Sequence, residues 1–426
     1  MNNTAQKISN FLHYGYHPHS CLATPSSESI DKAQAVNNDT YLQLGRMLSE
    51  RRASPMYDDN PRDLLGEASR VWEGSIQNCL SRASGQIVVP ISGGLDSRLI
   101  LASLLRHRPA REITTYTFGS AGSLDFEIGN KVAESAGTNH LSFELSSQKI
   151  RQEDLEFACR HSIFESDVFT APPLRAISES ISPDATIWSG YMGDPSTGSH
   201  LLRNIPEGLT WAEYVYSKEC YTGDDQLAYH VTGLHPEKPN LASQDNQSHE
   251  DLAELWDIEN RQRKYVISQV LRGPFRFETP FADEDWLNFA FSLPRNLRLG
   301  QSFYKQFLSS EYNDLFRLPV KCNLGYPLNM NFTETVGYTA ARAINRLSKN
   351  HRKRISVNYR DYCDEIANDL RNKATIYEIL QSLVHRPEID GEKIKHLVSD
   401  PTTAYTRTKA ITLLASLELN LQLRNE

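Results

Sequence analysis

The sequence predicts an α/β fold: a doubly wound, mainly parallel sheet followed by a helical C-terminal region. Short β-branched runs alternate with segments of helical periodicity up to about residue 230, which is typical of a parallel sheet covered by helices on both faces. Beyond that point the strand signals fade and helical periodicity dominates. A glycine-rich loop also follows the first strand run directly, as in many α/β domains.

Three strands and three helices are predicted in the first half of the chain. Asn60 and Pro61 have the chemistry of a helix start, and apolar residues recur at helical spacing up to Leu80. Two more helices are expected at 99–105 and from 126 to 136, where Gly137 ends the second. The strands are expected at 86–91, 112–118 and 185–189.

The chain is expected to divide into three parts. Residues 1–58 are polar and predict an irregular N-terminal arm, residues 59–230 the α/β domain, and residues 231–426 a helical region that completes it. Helices in the last part are predicted at 252–271, 284–291, 333–350, 375–385 and 406–423.

Composition and charge favour an enzyme that acts on small molecules. The net charge of −8 argues against nucleic acid or an anionic membrane surface as a partner. With 39% hydrophobic residues, no apolar run long enough to span a bilayer and no export signal, a cytoplasmic location is expected. The six cysteines are widely spaced without a CxxC pair, which predicts reduced thiols rather than a zinc site.

The most specific motif is the loop between the first predicted strand and the next helix. It contains Ser92, Gly93, Gly94, Asp96 and Ser97. Glycines allow backbone N–H groups to close around phosphate oxygens, and the helix N-terminus adds a positive dipole. A carboxylate at position 96 can bind Mg²⁺ that also contacts the phosphates. No lysine follows the glycines, so this is not the Gly-Lys-Ser/Thr nucleotide loop.

This loop resembles that of the N-type ATP pyrophosphatases, the PP-loop superfamily with its HUP-like fold. Its surroundings resemble the synthetase domain of the asparagine synthetase family, through the segments 116–119, 125–127, 132–140 and 277–283. The resemblance implies that ATP and Mg²⁺ are used, and that Phe118 contributes to the nucleotide site.

The segment 189–194 resembles the family's Ser-Gly-Glu-Gly-x-Asp element. The resemblance implies that Ser189 and Gly190 bind the nucleotide and that Asp194 joins Asp96 as a Mg²⁺ ligand. Tyr191 replaces the family glutamate. The related beta-lactam synthetases also have tyrosine there, acting with a separate glutamate, so a catalytic role for Tyr191 is expected.

Two basic residues complete the expected site. Lys321 matches the family lysine that stabilises negative charge on the α-phosphate, and Lys305 is the competing candidate. Arg98 replaces the third serine of the family loop, where it could contact phosphate or form a local salt bridge.

Full asparagine synthetases carry an N-terminal glutaminase that begins with cysteine after the initiator methionine. Residue 2 here is Asn2, and the stretch before the loop is too short for that domain. We therefore expect that this polypeptide does not release ammonia from glutamine by that route.

Together these features predict an ATP-dependent carbon–nitrogen ligase that adenylates a carboxylate, releases pyrophosphate and transfers the acyl group to an amine or ammonia. The expected partners are a small-molecule or peptide carboxylate and an amine donor, with ammonia from a separate glutaminase as one open source. Tyr191 favours an amine other than glutamine-derived ammonia. The alternative is a non-catalytic nucleotide-binding regulatory protein with the same fold.

Overall fold

A five-stranded parallel sheet forms the centre of the molecule. The computed structural model describes residues 3–18, 61–146, 148–240, 248–347, 370–399 and 405–423. The sheet has the order β3-β2-β1-β4-β5, and every neighbouring pair is parallel. Its strands are β1 Ile87–Pro90, β2 Ile113–Gly119, β3 Asn139–Glu144, β4 Thr186–Trp188 and β5 Arg276–Glu278.

The strand order creates a switch point beside β1. From β1 the chain adds β2 and β3 on one side, then crosses to place β4 and β5 on the other. Ile87 of β1 pairs with Ile113 of β2 and with Thr186 of β4, so the carboxyl ends of β1 and β4 lie side by side. In open α/β sheets, ligands bind in the crevice at this position.

Helices cover both faces of the sheet, as predicted for a doubly wound fold. Up to residue 232 they are α1 Asn3–Tyr14, α2 Pro61–Arg82, α3 Asp96–His107, α4 Leu124–Ala136, α5 Gln152–Arg160, α6 Leu174–Ser180, α7 Gly193–Thr197, α8 Trp211–Lys218 and α9 Leu227–Thr232. The later helices are α10 His249–Trp256, α11 Ile267–Val270, α12 Glu284–Ser292, α13 Arg295–Arg298, α14 Ser302–Glu311, α15 Asn313–Phe316, α16 Phe332–Leu347, α17 Leu370–Leu383, α18 Gly391–Ser399 and α19 Tyr405–Leu423.

A ten-residue π-helix, Asp257–Val266, joins α10 to α11. Such segments are rare and are frequent at functional sites. The predicted helix at 252–271 is therefore a composite of two α-helices and this π-helix.

Two apolar cores lie on opposite faces of the sheet. Val88 and Val89 are adjacent in β1 and point to opposite faces, so they belong to different cores. The core containing Val89 includes Trp72 of α2, whose ring packs 4.5 Å from that of Phe281. The core containing Val88 includes Leu414 of α19. No helix in the described part of the chain is long and apolar enough to cross a membrane.

The sequence predicted the first two strands, β4 and the longer helices α2, α3, α4, α12, α16, α17 and α19, but it missed β3, β5 and many of the shorter helices. It also predicted an irregular arm at residues 1–58, whereas Asn3–Tyr14 is a helix that buries Ile8, Phe11 and Leu12. The rest of that arm, from residue 19 onward, lies outside the described residues. The three-part division of the chain stays a prediction.

Candidate active site

A cavity of about 550 Å³ lies at the carboxyl ends of the central strands. This volume is in the range of small-molecule and cofactor sites. Ten of the residues singled out from the sequence line it together, although their roles stay predictions: Ser92, Gly93, Gly94, Asp96, Ser97, Phe118, Ser189, Gly190, Asp194 and Lys321.

The glycine-rich loop delivers the start of α3 to this cavity. The helix begins after Leu95, and no side chain caps its first turn. The first N–H groups of a helix lack partners within the helix, and they carry its positive dipole. Within the loop, the Gly94 N–H donates to Ser92 Oγ at 3.2 Å. The start of α3 therefore has the properties of an anion-binding site.

Two carboxylates lie close together at the end of this loop, Asp96 at the start of α3 and Asp194 in α7. Asp96 is partly buried, Asp194 is exposed, and Tyr304 donates a hydrogen bond from its hydroxyl to Asp96 Oδ1 at 3.0 Å. Burial, and next the negative charge of Asp194, raise the pKa of the Asp96 carboxyl well above its usual value. A Cβ at Gly193 would overlap the Asp96 carboxylate, so glycine permits this close approach.

These two carboxylates fit a divalent cation that is also bound by phosphate. Mg²⁺ is bound in proteins by one or two carboxylates together with substrate phosphates and water. Among the described residues, no group of three or more His, Cys, Asp and Glu side chains is arranged to hold a metal ion. Asp96 and Asp194 would therefore hold Mg²⁺ only with oxygens from a ligand, and the cation would relieve their repulsion.

Lys321 lies directly on the glycine-rich loop. Its backbone N–H donates to the Gly93 carbonyl at 2.9 Å, and its Nζ forms an ion pair with Asp125 Oδ2 at 3.0 Å. The other oxygen of Asp125 accepts the Gly93 N–H at 3.1 Å. Lys305, the competing candidate, is exposed at Nζ, donates to the Gly300 carbonyl and does not line the cavity. The geometry thus favours Lys321 as the basic residue of this site.

Arg98 anchors the segment that precedes Lys321. It is fully buried, and its guanidinium donates to the carbonyls of Leu315, Leu318 and Pro319 at 3.2, 3.3 and 2.7 Å. Burial lowers the pKa of Arg98 to about 10. Neither role considered from the sequence is present: Arg98 does not line the cavity, and its hydrogen bonds go to carbonyls rather than to a carboxylate.

Among the residues that the structure describes, three other than glycine have left-handed backbone conformations, and all three lie beside the site. They are Met192 (φ 68°), Gln301 (φ 62°) and Leu324 (φ 52°). This conformation is costly for residues with a Cβ and is often found at ligand sites. Met192 directs the chain into α7 so that Asp194 reaches the cavity, and Leu324 ends the turn that carries Lys321.

Tyr191 is placed differently from the expectation. Its side chain is buried with 1% exposure, does not line the cavity, and donates a hydrogen bond from its hydroxyl to the Gln262 carbonyl at 3.0 Å. This placement supports a packing role in which Tyr191 joins the loop after β4 to the π-helix. The catalytic role of Tyr191 stays a prediction that this geometry does not favour.

Asp125 and Tyr304 contact the predicted site residues but were not assigned a role in the site from the sequence. Asp125 had a local signal, because it occupies the first turn of the helix that follows β2 and so lies at the carboxyl edge of the sheet. Tyr304 had none, because α14 is far from the loop in sequence and reaches Asp96 only through tertiary packing.

Comparison with known proteins agrees with this arrangement. The family model described as asparagine synthase matches residues 68–190, which include the glycine-rich loop, β1 to β4 and Gly190. Residues 68–190 are thus similar to an asparagine synthase domain. This domain has the PP-loop fold, which confirms the predicted fold class.

Curated relatives are similar over part of their length. The chain is 24% identical over 163 residues to a putative glutamine-hydrolyzing asparagine synthetase of Mycobacterium tuberculosis, which covers 38% of the chain and 25% of that protein. Similarity to the glutamine-hydrolyzing asparagine synthetases of Mus musculus and Homo sapiens is 24% and 23% over 236 residues, or 54% of the chain and 36% of each relative. The matches thus span a quarter to about a third of these relatives.

Replacing Arg98 tests its anchoring role. Arg98→Ala leaves one buried and two partly buried carbonyls without their donor, so we expect the free energy of unfolding to fall by about 3 kcal/mol. The control is Arg106→Ala on the same helix, an exposed arginine whose loss should cost less than about 1 kcal/mol. Urea denaturation measures both, and equal effects would contradict a specific role for Arg98.

Replacing Asp96 tests whether its buried negative charge destabilises the ligand-free protein. Because the folded-state pKa of Asp96 is raised, ionisation of this group destabilises the fold as pH rises from the unfolded-state pKa of about 3.9 through the folded-state value. Asp96→Asn should therefore raise the Tm of the ligand-free protein at pH 7, and the gain should vanish below about pH 4. A lower Tm at pH 7 would show that Asp96 is not repelled by its surroundings.

Proposed function

We propose that this protein is an ATP-dependent ligase that forms an amide through an acyl-adenylate. In the first step a carboxylate oxygen of the substrate attacks the α-phosphorus of ATP, and the bond to pyrophosphate breaks. In the second step an amine or ammonia attacks the acyl carbon. AMP leaves with the electron pair of the acyl–oxygen bond, and the nitrogen loses a proton.

One observation carries this proposal. An uncapped helix N-terminus, two facing carboxylates and a lysine fixed to the loop backbone share one cavity at the sheet's switch point. The first supplies donors to phosphate oxygens, the second a place for the metal of a metal–nucleotide complex, and the third a fixed positive charge. The asparagine synthase domain gives independent support for ATP-dependent amide formation.

Asp96 and Asp194 would hold Mg²⁺ with the phosphates, and the cation would neutralise part of the phosphate charge. The chain's own residues perform the remaining tasks. The start of α3 orients the phosphates, and Asp125 keeps the Lys321 ammonium beside the loop while two of its three protons remain available to phosphate oxygens.

Lys321 is proposed to act at the α-phosphate. Negative charge builds there as the carboxylate attacks and pyrophosphate departs, and a preorganised cation stabilises that charge without reorganising. Its position is held from two sides, because the main chain is bonded to Gly93 and the side chain to Asp125. Nitrogen could come from free ammonia, from a separate glutaminase or from an amine on the substrate.

ATP–pyrophosphate exchange with a panel of carboxylates tests the function and the role of Lys321. Wild-type protein should catalyse the exchange in the presence of Mg²⁺. Lys321→Ala should lower the exchange kcat about a hundredfold or more with little change in the Kd for ATP, because the contact strengthens only in the transition state. Lys305→Ala is the matched control and should remain near the wild-type rate.

Other outcomes would identify other accounts. If Lys305→Ala lost most of the exchange activity and Lys321→Ala stayed near the wild-type rate, Lys305 would be the catalytic lysine, and adenylation would still be supported. Tight ATP binding with no exchange for any carboxylate that binds would favour the alternative, a nucleotide-binding regulatory protein.

A further inference from the structure

One part of the cavity lining has a different chemistry from the phosphate end. It consists of six residues from the loop after α5 and from the helical segment that ends in α11, and we call it the apolar wall: Thr170, Pro172, Tyr265, Val266, Gln269 and Val270. The two valines and the proline contribute only carbon atoms to this surface. Val270 is 41% exposed, so its side chain is accessible to a ligand in the cavity.

The polar members of the apolar wall bond to other protein groups. The Thr170 hydroxyl donates to Gln269 Oε1 at 2.8 Å, and Gln269 Nε2 donates to the Asp167 carbonyl at 3.0 Å. The Tyr265 hydroxyl shares a hydrogen bond with Tyr221, and burial is the first cause that raises the pKa of Tyr265 to about 12. Because these groups already have partners, they present mainly carbon atoms and ring faces to a ligand.

Arg261 is the nearest basic residue of the lining, and its charge is already balanced. Its Nε lies 3.3 Å from Glu219, and its Nη1 lies 3.7 Å from Asp257. Its guanidinium also lies over the Tyr265 ring, 5.8 Å from the centroid. Lys321, the other basic residue of the lining, is paired with Asp125. Each cation of this lining is thus already paired with a carboxylate of the protein.

We infer that the substrate carboxylate bears an apolar or aromatic group that packs on the apolar wall. This inference rests on the proposed function and adds the substrate class. A buried charge without a partner is strongly unfavourable, whereas an apolar group gains about 25 cal/mol for each Å² removed from water. Aspartate, which carries a second carboxylate and an ammonium, fits this wall poorly.

A binding panel tests the inference without requiring turnover. Calorimetry compares 3-phenylpropionate and hexanoate with aspartate and succinate, each with and without Mg²⁺ and a non-hydrolysable ATP analogue. We expect the two apolar acids to bind at least about tenfold more tightly than the two charged acids, a difference of about 1.4 kcal/mol. Tighter binding of aspartate or succinate, or no binding of either apolar acid, would overturn the inference.

A matched pair of valine variants locates the effect. Val270→Asp places a charge on the apolar wall and should weaken binding of 3-phenylpropionate about tenfold while the affinity for the ATP analogue stays the same. Val336→Asp, on the exposed helix α16 outside the lining, should change neither affinity. Equal weakening in both variants, or none in Val270→Asp, would contradict the wall as the binding surface.

The two proposals fail separately. If apolar acids bind and respond to Val270→Asp but support no ATP–pyrophosphate exchange, the apolar wall is retained and adenylation is rejected. If exchange occurs best with aspartate, adenylation is retained and the apolar wall is rejected as the determinant of substrate class.

Discussion

The candidate site depends on the backbone of Gly93, whose N–H and C=O groups both form hydrogen bonds. Its N–H donates to Asp125, its carbonyl accepts from the Lys321 backbone, and the side chains of Asp125 and Lys321 form an ion pair that closes the ring. A Cβ at Gly93 would lie 2.9 Å from the Cβ of Lys321, so a side chain at this position would force the segments apart. Gly93, Asp125 and Lys321 come from three segments that are distant in sequence. Arg98 holds the segment before Lys321 through a hydrogen bond to the Pro319 carbonyl.

Several features around this ring destabilise the ligand-free fold, and a bound ligand would relieve some of them. Asp96 and Asp194 repel each other, α3 begins without a side-chain cap, and Met192 and Gln301 adopt left-handed conformations. Each of these features costs folding free energy on its own. A metal–nucleotide complex would offset the repulsion between the two carboxylates and would bind the uncapped start of α3. Local strain of this kind is common at ligand sites, and in α/β folds those sites lie in the crevice at the strand ends.

Local patterns predicted much of this site, and tertiary contacts decided the rest. The loop and Asp96 were predicted from strand, turn and helix chemistry at one edge of a parallel sheet, whereas Asp194 and Lys321 were predicted through the resemblance to asparagine synthetases. β5 was missed because its three residues are too short to show alternation, and β3 because its sequence is polar and partly exposed. Three contacts depend on partners that are remote in sequence, so no local pattern encodes them. They are the hydrogen bonds of Tyr191 to Gln262, of Arg98 to the Pro319 carbonyl and of Tyr304 to Asp96.

Acyl-adenylate formation is the central claim, and oxygen transfer tests it most directly. The enzyme would be incubated with ATP, an amine donor and a carboxylate labelled with ¹⁸O in both oxygens, and the AMP produced would be examined by mass spectrometry. Attack of the carboxylate on the α-phosphorus leaves one substrate oxygen on that phosphorus, so the account predicts AMP that carries one ¹⁸O atom. Amide product accompanied by unlabelled AMP, or by ADP and phosphate, would contradict it.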